Sequence, residues 1–499
     1  MQAYKNLEER FSDYTALKSI DALLNWDASV MMPEKGLTQR ARHAAVLGVK
    51  IHAILTDIDT GRWIEKAQDE KLNAWQSANL NIMKRLHAHA TALTPAMVTK
   101  RSMQEAKTEM TWRQARAAND FLMLKPELDA LLAMVREAAE VKSQKLGLTP
   151  YDAMLDSFAP NMRSAEVDVI FDDLAAFLPG VLEETLRLQK KPIPIRGPFP
   201  TDAQEKLSRE VAKIIGFDFS RGRLDISTHP FSSGIGNDVR ITTRYNENNL
   251  LGALRATMHE AGHAFFDQNT PKEWQHQPVG VSNNMGMAIH ESQSLSLDMQ
   301  LGCSIEFFEL IAPCVQKTFG GSEPAWSAEN LQRMATEVSR GLIRVEADEV
   351  SYPLHVILRY RLERQLISGD LKVADLPAAW NESMQKLIGI TPPNDAQGCM
   401  QDIHWHAGYY GYFPSYALGA LLAAQLVNKM QQDIPDVFAR VRQDDIASFN
   451  GWLRKNIHEQ GCLYSPAALV EKATGSKMSP IFLKRHLSRR YLGREYKGS

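Results

Sequence analysis

Three side chains in the run HEAGH, His259, Glu260 and His263, have the types and spacing to hold one divalent ion and to activate a water beside it. On a helix, an i, i+4 step turns the second imidazole only about 40° from the first, so both rings project from one side. Glu260 lies one position round, where its carboxylate reaches a water on the ion rather than the ion itself. A chance H-E-x-x-H turns up in roughly a few per cent of chains this long. The surroundings must therefore decide between a metal site and a pair of surface histidines.

An open catalytic zinc site needs a third protein ligand. A metzincin would place a glycine at position 266 and a histidine at position 269, but the chain has Phe266 and Asn269, which excludes that class. A glutamate on a following helix is the other common solution. Glu273 is near but sits in a proline-flanked loop. Glu291 follows His263 by 28 residues, in a helix expected to begin near Met287, which allows an antiparallel return of the chain. Glu291 is the expected third ligand, and capping of a helix N-terminus is its alternative role. Asp267, one turn beyond His263, is placed either as an outer acceptor for an imidazole N–H or as a surface acid.

The element that must present HEAGH spans Asn248 to Asn269. Leu250, Leu251, Leu254, Met258, Ala261 and Phe265 recur at spacings of three and four, as on a helix face packed against a core. Asn248 or Asn249 can cap its start, and Asn269-Thr270-Pro271 closes it. The small pair Ala261-Gly262 permits close approach of a neighbour.

Around that helix the chain reads as a single unit, 1–499, in two parts. Residues 1–190 form a helical scaffold, with segments near 3–25, 38–57, 70–90, 95–120, 126–146 and 165–190. Thr94-Pro95 and Lys125-Pro126 look like helix starts. A proline-dense connector, Lys190 to Pro200, leads to the part carrying the motifs, 201–499. There Arg221–Phe231 and Asp238–Tyr245 alternate β-branched residues and read as a hairpin joined by SSGIGN, running straight into the HEAGH helix. Its edge, beside the cleft, would suit the main chain of an extended peptide. Further helices are expected from Ser327 through to Gly369 and near 376–388, 417–432, 436–457, 465–473 and 480–491. Between them, Thr391 to Gly419 is rich in His, Tyr and Gly, an odd composition for a core.

Hydrophobic residues make up 44% and charged residues 23% of the 499, and the formal net charge is −2. That balance exerts no pull toward nucleic acid or an anionic membrane. No apolar run approaches bilayer length, and Met1–Tyr14 has no signal-type apolar region. Cys303, Cys314, Cys399 and Cys462 form no C-x-x-C pair and read as free thiols in a reducing cytoplasm. The expected location is cytoplasmic.

Six motifs occur in order over about 180 residues: HPF (His229–Phe231), DVRIT (Asp238–Thr242), HEAGH, HESQ (His290–Gln293), IRVEAD (Ile343–Asp348) and GCMQDIHW (Gly398–Trp405). Together they resemble the M32 family, the thermostable-carboxypeptidase-type metallocarboxypeptidases. The resemblance implies a mainly α, cleft-bearing fold similar to neurolysin and angiotensin-converting enzyme, with a small hairpin or sheet beside the active site. It also implies a homodimer that removes C-terminal residues from short peptides with broad specificity. Carried over, the Zn2+ ligands are His259, His263 and Glu291, with Co2+ or Mn2+ as possible substitutes. Glu260 is the general base and later acid. His404 and Tyr412 match the oxyanion donors of this wider group, with Tyr409 or Tyr410 as backups at the substrate.

A carboxypeptidase must also grip a free carboxylate, for which a guanidinium is the natural bidentate partner. Arg344 is the first candidate and Arg240 the second, unless Asp348 or Asp238 ties them up. The alternative activity is a cytosolic metallo-oligopeptidase that cuts internally without such a clamp.

Overall fold

Seven long or medium helices follow one another from Gln2 to Leu188: Gln2–Val30, Leu37–Thr56, Ile58–Ala67, Ala74–Ala92, Pro95–Ala118, Phe121–Leu146 and Ser164–Leu188. This is a computed structural model, and it describes residues 1–498. Local signals set most of the boundaries. Asn73 and Gln76 form a reciprocal capping box, and Thr94 caps a helix whose first residue is Pro95. The helix expected to start at Lys125-Pro126 instead starts at Phe121, capped by Asp120, which accepts from the Met123 N–H at 3.1 Å. Pro126 removes one N–H from the second turn, while Phe121, Leu124, Leu128 and Leu131 bury one continuous face; packing outweighs that loss. Ile58–Ala67 is a separate helix absent from the sequence reading, started by Asp57 accepting from Asp59 N–H.

Two apolar cores result. A small one joins Tyr4, Leu7 and Phe11 of the first helix to Ile64, Leu80 and Met83. The main core draws on both sides of the proline-rich connector, from Trp112 to Leu487. The connector itself is laid along the body: the Asn330 amide exchanges hydrogen bonds with Ile193 N–H and C=O at 2.7 and 2.9 Å.

The sheet differs from the expected hairpin. Its strands are β1 (Gly222–Ile226), β2 (Ser232–Ile235) and β3 (Asp238–Thr243), in the order β1-β3-β2. β2 and β3 are the antiparallel hairpin, whereas β1 lies parallel to β3 with Arg223 opposite Arg240. Residues 227–231 are therefore a crossover rather than the first arm of the turn. Val239 and Ile241 of β3 are buried, and the central helix Gly252–Gln268 packs on that strand.

That helix is buried nearly all round, so its one-face apolar pattern understated its enclosure. Asn249 Oδ1 accepts from Gly252 N–H at 2.9 Å at its start, as the sequence suggested. Glycines set its neighbours. A Cβ on Gly262 would lie 2.5 Å from Ser294 Cα, and one on Gly419 would lie 2.6 Å from the Glu291 Cβ. The helix Met287–Leu295 can thus be pressed between the central helix and Pro414–Asp433. A π-helical turn, Ser296–Leu301, continues it.

The run from Ser327 to Gly369 is not one helix. It breaks into Ala328–Ala335, an irregular stretch with a short turn at Arg344–Glu346, and Tyr352–Ser368. Asp348 forces the restart: its carboxylate accepts from the N–H groups of Ser339, Val350 and Ser351. Among the described residues all four cysteines are unpaired, and no helix is long and apolar enough to cross a membrane.

Candidate metal centre

His259 and His263 project from the central helix with ring centroids 5.0 Å apart. Glu291, from the neighbouring helix, meets both: Oε1 is 3.9 Å from His259 Nε2 and Oε2 is 3.5 Å from His263 Nε2. One ligand atom from each of the three lies within 4.8 Å of the others, the distances an ion between them would need to bridge. Glu291 is the fifth residue of Met287–Leu295, inside the helix rather than at its cap. Glu273 sits in the turn Lys272–Trp274 and is not part of the group. Two imidazoles and one carboxylate leave a fourth position for water, the donor set of a catalytic zinc site.

Charge accumulates here. Burial opposes a proton on His259, but the carboxylates of Glu291, Asp298 and Glu260 overcome it and raise its pKa to about 9. Burial, reinforced by neighbouring His290 and His259, takes His263 down to about 4 despite its contact with Glu291. Burial would raise the Glu291 carboxyl, yet His259 and His263 hold it below its ordinary value. Burial lifts Glu260 to about 7, with His259 pulling the other way and Glu291 adding to the rise.

The outward ring nitrogens are held in turn. His263 Nδ1 lies 2.6 Å from His290 Nδ1, and His290 Nε2 lies 3.3 Å from Asp267 Oδ1, which also accepts from the Ser282 hydroxyl. Asp267 therefore serves His263 through His290 rather than directly. On the other side Asp298 Oδ2 is 3.8 Å from His259 Nδ1, a charge contact beyond hydrogen-bond range. Arg255 fixes Asp298 with bonds of 3.0 and 3.3 Å. Sequence reasoning missed Asp298. Its signals were Arg255, four residues before His259 on the same helix, and its own place two turns beyond Glu291. Outer partners of this kind are worth about 10–100-fold in metal affinity. Asp298→Asn is therefore expected to weaken divalent-metal binding by about that factor, read by competition with a chromophoric chelator.

An aromatic wall faces Glu291. Tyr352 donates to Glu291 Oε1 at 3.5 Å, and the Tyr352 and Tyr416 rings lie 6.4 Å apart. His404 Nε2 is 3.1 Å from the Tyr416 hydroxyl, and the Tyr412 ring sits 5.4 Å from His404 and 5.3 Å from Tyr416. Burial, with Arg344 beside it, drives His404 down to about 3, so its ring is neutral, and its Nδ1 has no partner among the described residues. Burial also keeps the Tyr412 phenol protonated, and neighbouring Tyr416 and Glu291 reinforce it. Tyr416 and Tyr352 were absent from the sequence reading. Tyr409, half exposed, packs edge-on against Phe158, while Tyr410 is fully buried.

Both candidate arginines are paired, Arg240 with the Asp238 that the sequence offered and Arg344 with a different acid. Arg344 is 5% exposed and is bound by Asp402, not Asp348, through bonds of 3.0 and 2.8 Å. Arg359 shares that carboxylate at 2.6 Å, and Arg344 stacks over the Tyr416 ring. Arg240 is paired bidentately with Asp238, at 2.8 and 2.9 Å, and lies 4.2 Å over the ring of Trp26. Asp238 is largely exposed, so that pair exchanges with solvent anions far more readily than the enclosed one.

Comparison with known proteins gives a consistent result. Residues 6–491 match the family model described as carboxypeptidase Taq (M32) metallopeptidase. Thermostable carboxypeptidase 1 of Thermus thermophilus is 35% identical, over 98% of this chain and 98% of its own. Carboxypeptidase 1 of Bacillus subtilis is 32% identical over 97% of each. Among solved structures, Trypanosoma cruzi metallocarboxypeptidase 1 superposes with a TM-score of 0.96 at 36% identity, covering 98% of this chain and 99% of that one.

Proposed function

The chain belongs to the carboxypeptidase Taq (M32) metallopeptidase family, and from that membership we propose a zinc-dependent carboxypeptidase that removes C-terminal amino acids from short peptides with broad specificity. The observation that supports it most is the convergence of His259 Nε2, His263 Nε2 and the Glu291 carboxylate beside Glu260. Two nitrogens and one oxygen suit zinc, and Co2+ or Mn2+ are tolerated by the same donors. A zinc ion bound there supplies Lewis-acid polarisation of the scissile carbonyl and acidifies the attacking water.

The protein's own groups do the rest. Glu260 takes a proton from the attacking water and returns it to the leaving amine nitrogen. His404 and Tyr412 donate to the oxyanion that forms on the former carbonyl oxygen, both being neutral donors at physiological pH. Tyr409 is assigned to substrate side-chain contact, a role its half-exposed ring supports. Of the two arginines, Arg240 suits the C-terminal carboxylate better. Its guanidinium already accommodates a carboxylate in fork geometry, and an incoming substrate has only the exposed Asp238 to displace. Arg344 shapes the wall behind Tyr416 instead. A cytoplasmic homodimer belongs to the same reading. The exposed apolar side chains Ile20, Leu23, Leu37, Val46 and Val49 on the first two helices, with Met31 just after the first, support a protein partner there.

Both arginines begin paired, which is the one observation favouring an internal-cutting oligopeptidase. The two readings separate on a short peptide offered as the free acid and as its C-terminal amide. The amide is expected to be cleaved at least about 100-fold more slowly, the cost of a lost bidentate charge pair of about 3 kcal/mol. Equal rates by mass analysis of the products would replace the carboxypeptidase reading with the oligopeptidase one.

A further inference from the structure

Glu363, on the helix Tyr352–Ser368, is wholly buried, and no lysine, arginine or histidine among the described residues lies within ion-pair distance of it. Three neutral donors hold its carboxylate instead. The Tyr151 hydroxyl and the Gly411 N–H donate to Oε1 at 2.7 and 2.6 Å, and Trp405 Nε1–H donates to Oε2 at 2.8 Å. Burial pushes this carboxyl up to about 7 against the pull of those donors. A buried acid without a counter-ion is a costly core residue. An apolar side chain of similar size would pack the helix at least as well, so the acid's value must lie in what it holds.

Two of its three donors bracket one loop. Trp405 follows His404 directly, and Gly411 precedes Tyr412 directly. The loop between them is tight, with Gly408 and Gly411 both at positive φ, +77° and +89°. A Cβ on Gly411 would lie 2.7 Å from Leu155 N, so the chain is pressed against the helix Pro150–Leu155 that also supplies Tyr151. One turn before Glu363, Arg359 grips Asp402, just upstream of His404. A single helix therefore holds this segment at Asp402, at Trp405 and at Gly411.

We propose that Glu363 is a positioning residue whose two carboxylate oxygens clamp both ends of the 404–412 loop and thereby fix His404 and Tyr412 against the reacting carbonyl. The inference rests on the oxyanion role given to those two residues above. Glutamine in its place keeps one acceptor oxygen but turns an NH2 toward N–H donors, so one end of the loop is released while the volume is unchanged. A displacement of about 1 Å at a catalytic group costs on the order of 100-fold in rate.

A double-mutant cycle tests it on the zinc-loaded enzyme, with kcat expressed per zinc-bound site. Glu363→Gln alone is expected to lower kcat about 100-fold, with KM and zinc affinity within about threefold of the parent. In the Tyr412→Phe, His404→Ala background the same change is expected to cost less than about threefold, because the groups it positions are gone. Multiplying factors, or a loss expressed in KM or zinc affinity, would overturn the clamp while leaving the oxyanion assignment intact. Should Tyr412→Phe and His404→Ala themselves leave kcat unchanged, the oxyanion assignment falls and the clamp with it. If Glu363→Gln does not fold, Trp405→Phe removes one pin and keeps the carboxylate. It is expected to show a smaller loss of kcat with the same failure to multiply, and multiplication there overturns the proposal equally.

Discussion

Glu260→Gln is expected to lower kcat by about 10³-fold, within the range a positioned general acid–base supplies. KM and bound zinc should change little, because the carboxylate does not belong to the candidate ligand group. The side chain is 7% exposed and one position round the helix from His259, so an isosteric amide fits the same space. What the amide lacks is the ability to accept a proton from the attacking water and pass it to the leaving nitrogen. The pH profile carries a second mark of the same group. Burial lifts the Glu260 carboxyl to about 7, with His259 opposing, and a dication in the adjacent grip pulls it lower by simple attraction. A base must be deprotonated to work, so kcat/KM falls as pH drops through that value, giving an acid limb below neutrality. Glu260→Gln should remove that limb along with the activity. A variant that keeps parental turnover per zinc would take Glu260 out of the chemistry.

The part of this site that was legible in the sequence is the part governed by short-range helical geometry. An i, i+4 pair of histidines must share a face, and the small residue beside them, Gly262, does allow the backbone of Ser294 to approach. Glu291 could be named because a helix beginning near Met287 leaves few ways for the chain to return. Asn249 at the helix start likewise needed only local chemistry.

What stayed hidden depends on contacts between distant segments. Nothing near Arg344 in the sequence distinguishes Asp348 from Asp402 as its partner. The structure gives Asp348 to three backbone N–H groups and Asp402 to two arginines. Asp298 lies within the π-helical turn Ser296–Leu301, so its seven-residue step from Glu291 could not by itself say that it faces His259. The parallel pairing of β1 with β3 escaped for a related reason. Alternation marks a strand but not its neighbour's direction, and the turn-rich SSGIGN looked like the link between both long arms. The stretch Thr391–Gly419, poor in aliphatics, stood out as odd for a core, but its tyrosines could not be ranked until their distances to Glu291 and His404 were known.

Glu291→Gln should be the most damaging change to the metal centre itself, larger than the about 10–100-fold expected of an outer partner such as Asp298. Glu291 is the one anionic member of the candidate ligand group and lies 3.9 and 3.5 Å from the two imidazoles. His259 and His263 hold its carboxyl below its ordinary value against the effect of burial, so it stays charged through neutrality. An amide keeps the shape between the central helix and Gly419, where an added Cβ would lie 2.6 Å from the Glu291 Cβ. The packing therefore survives while the negative charge is lost, and with it most of the attraction for a dication in an enclosed site. His259 moves as well. Burial opposes its proton and Glu291 is the first of the charges that favour it, so its pKa of about 9 is expected to fall in the variant. Two measurements check this together. Chelator competition should show zinc affinity lower than in Asp298→Asn, and NMR titration of the metal-free protein should show His259 losing its proton at lower pH than in the parent. Parental zinc affinity in Glu291→Gln would remove Glu291 from the ligand set and require another group to complete the site beside the two imidazoles.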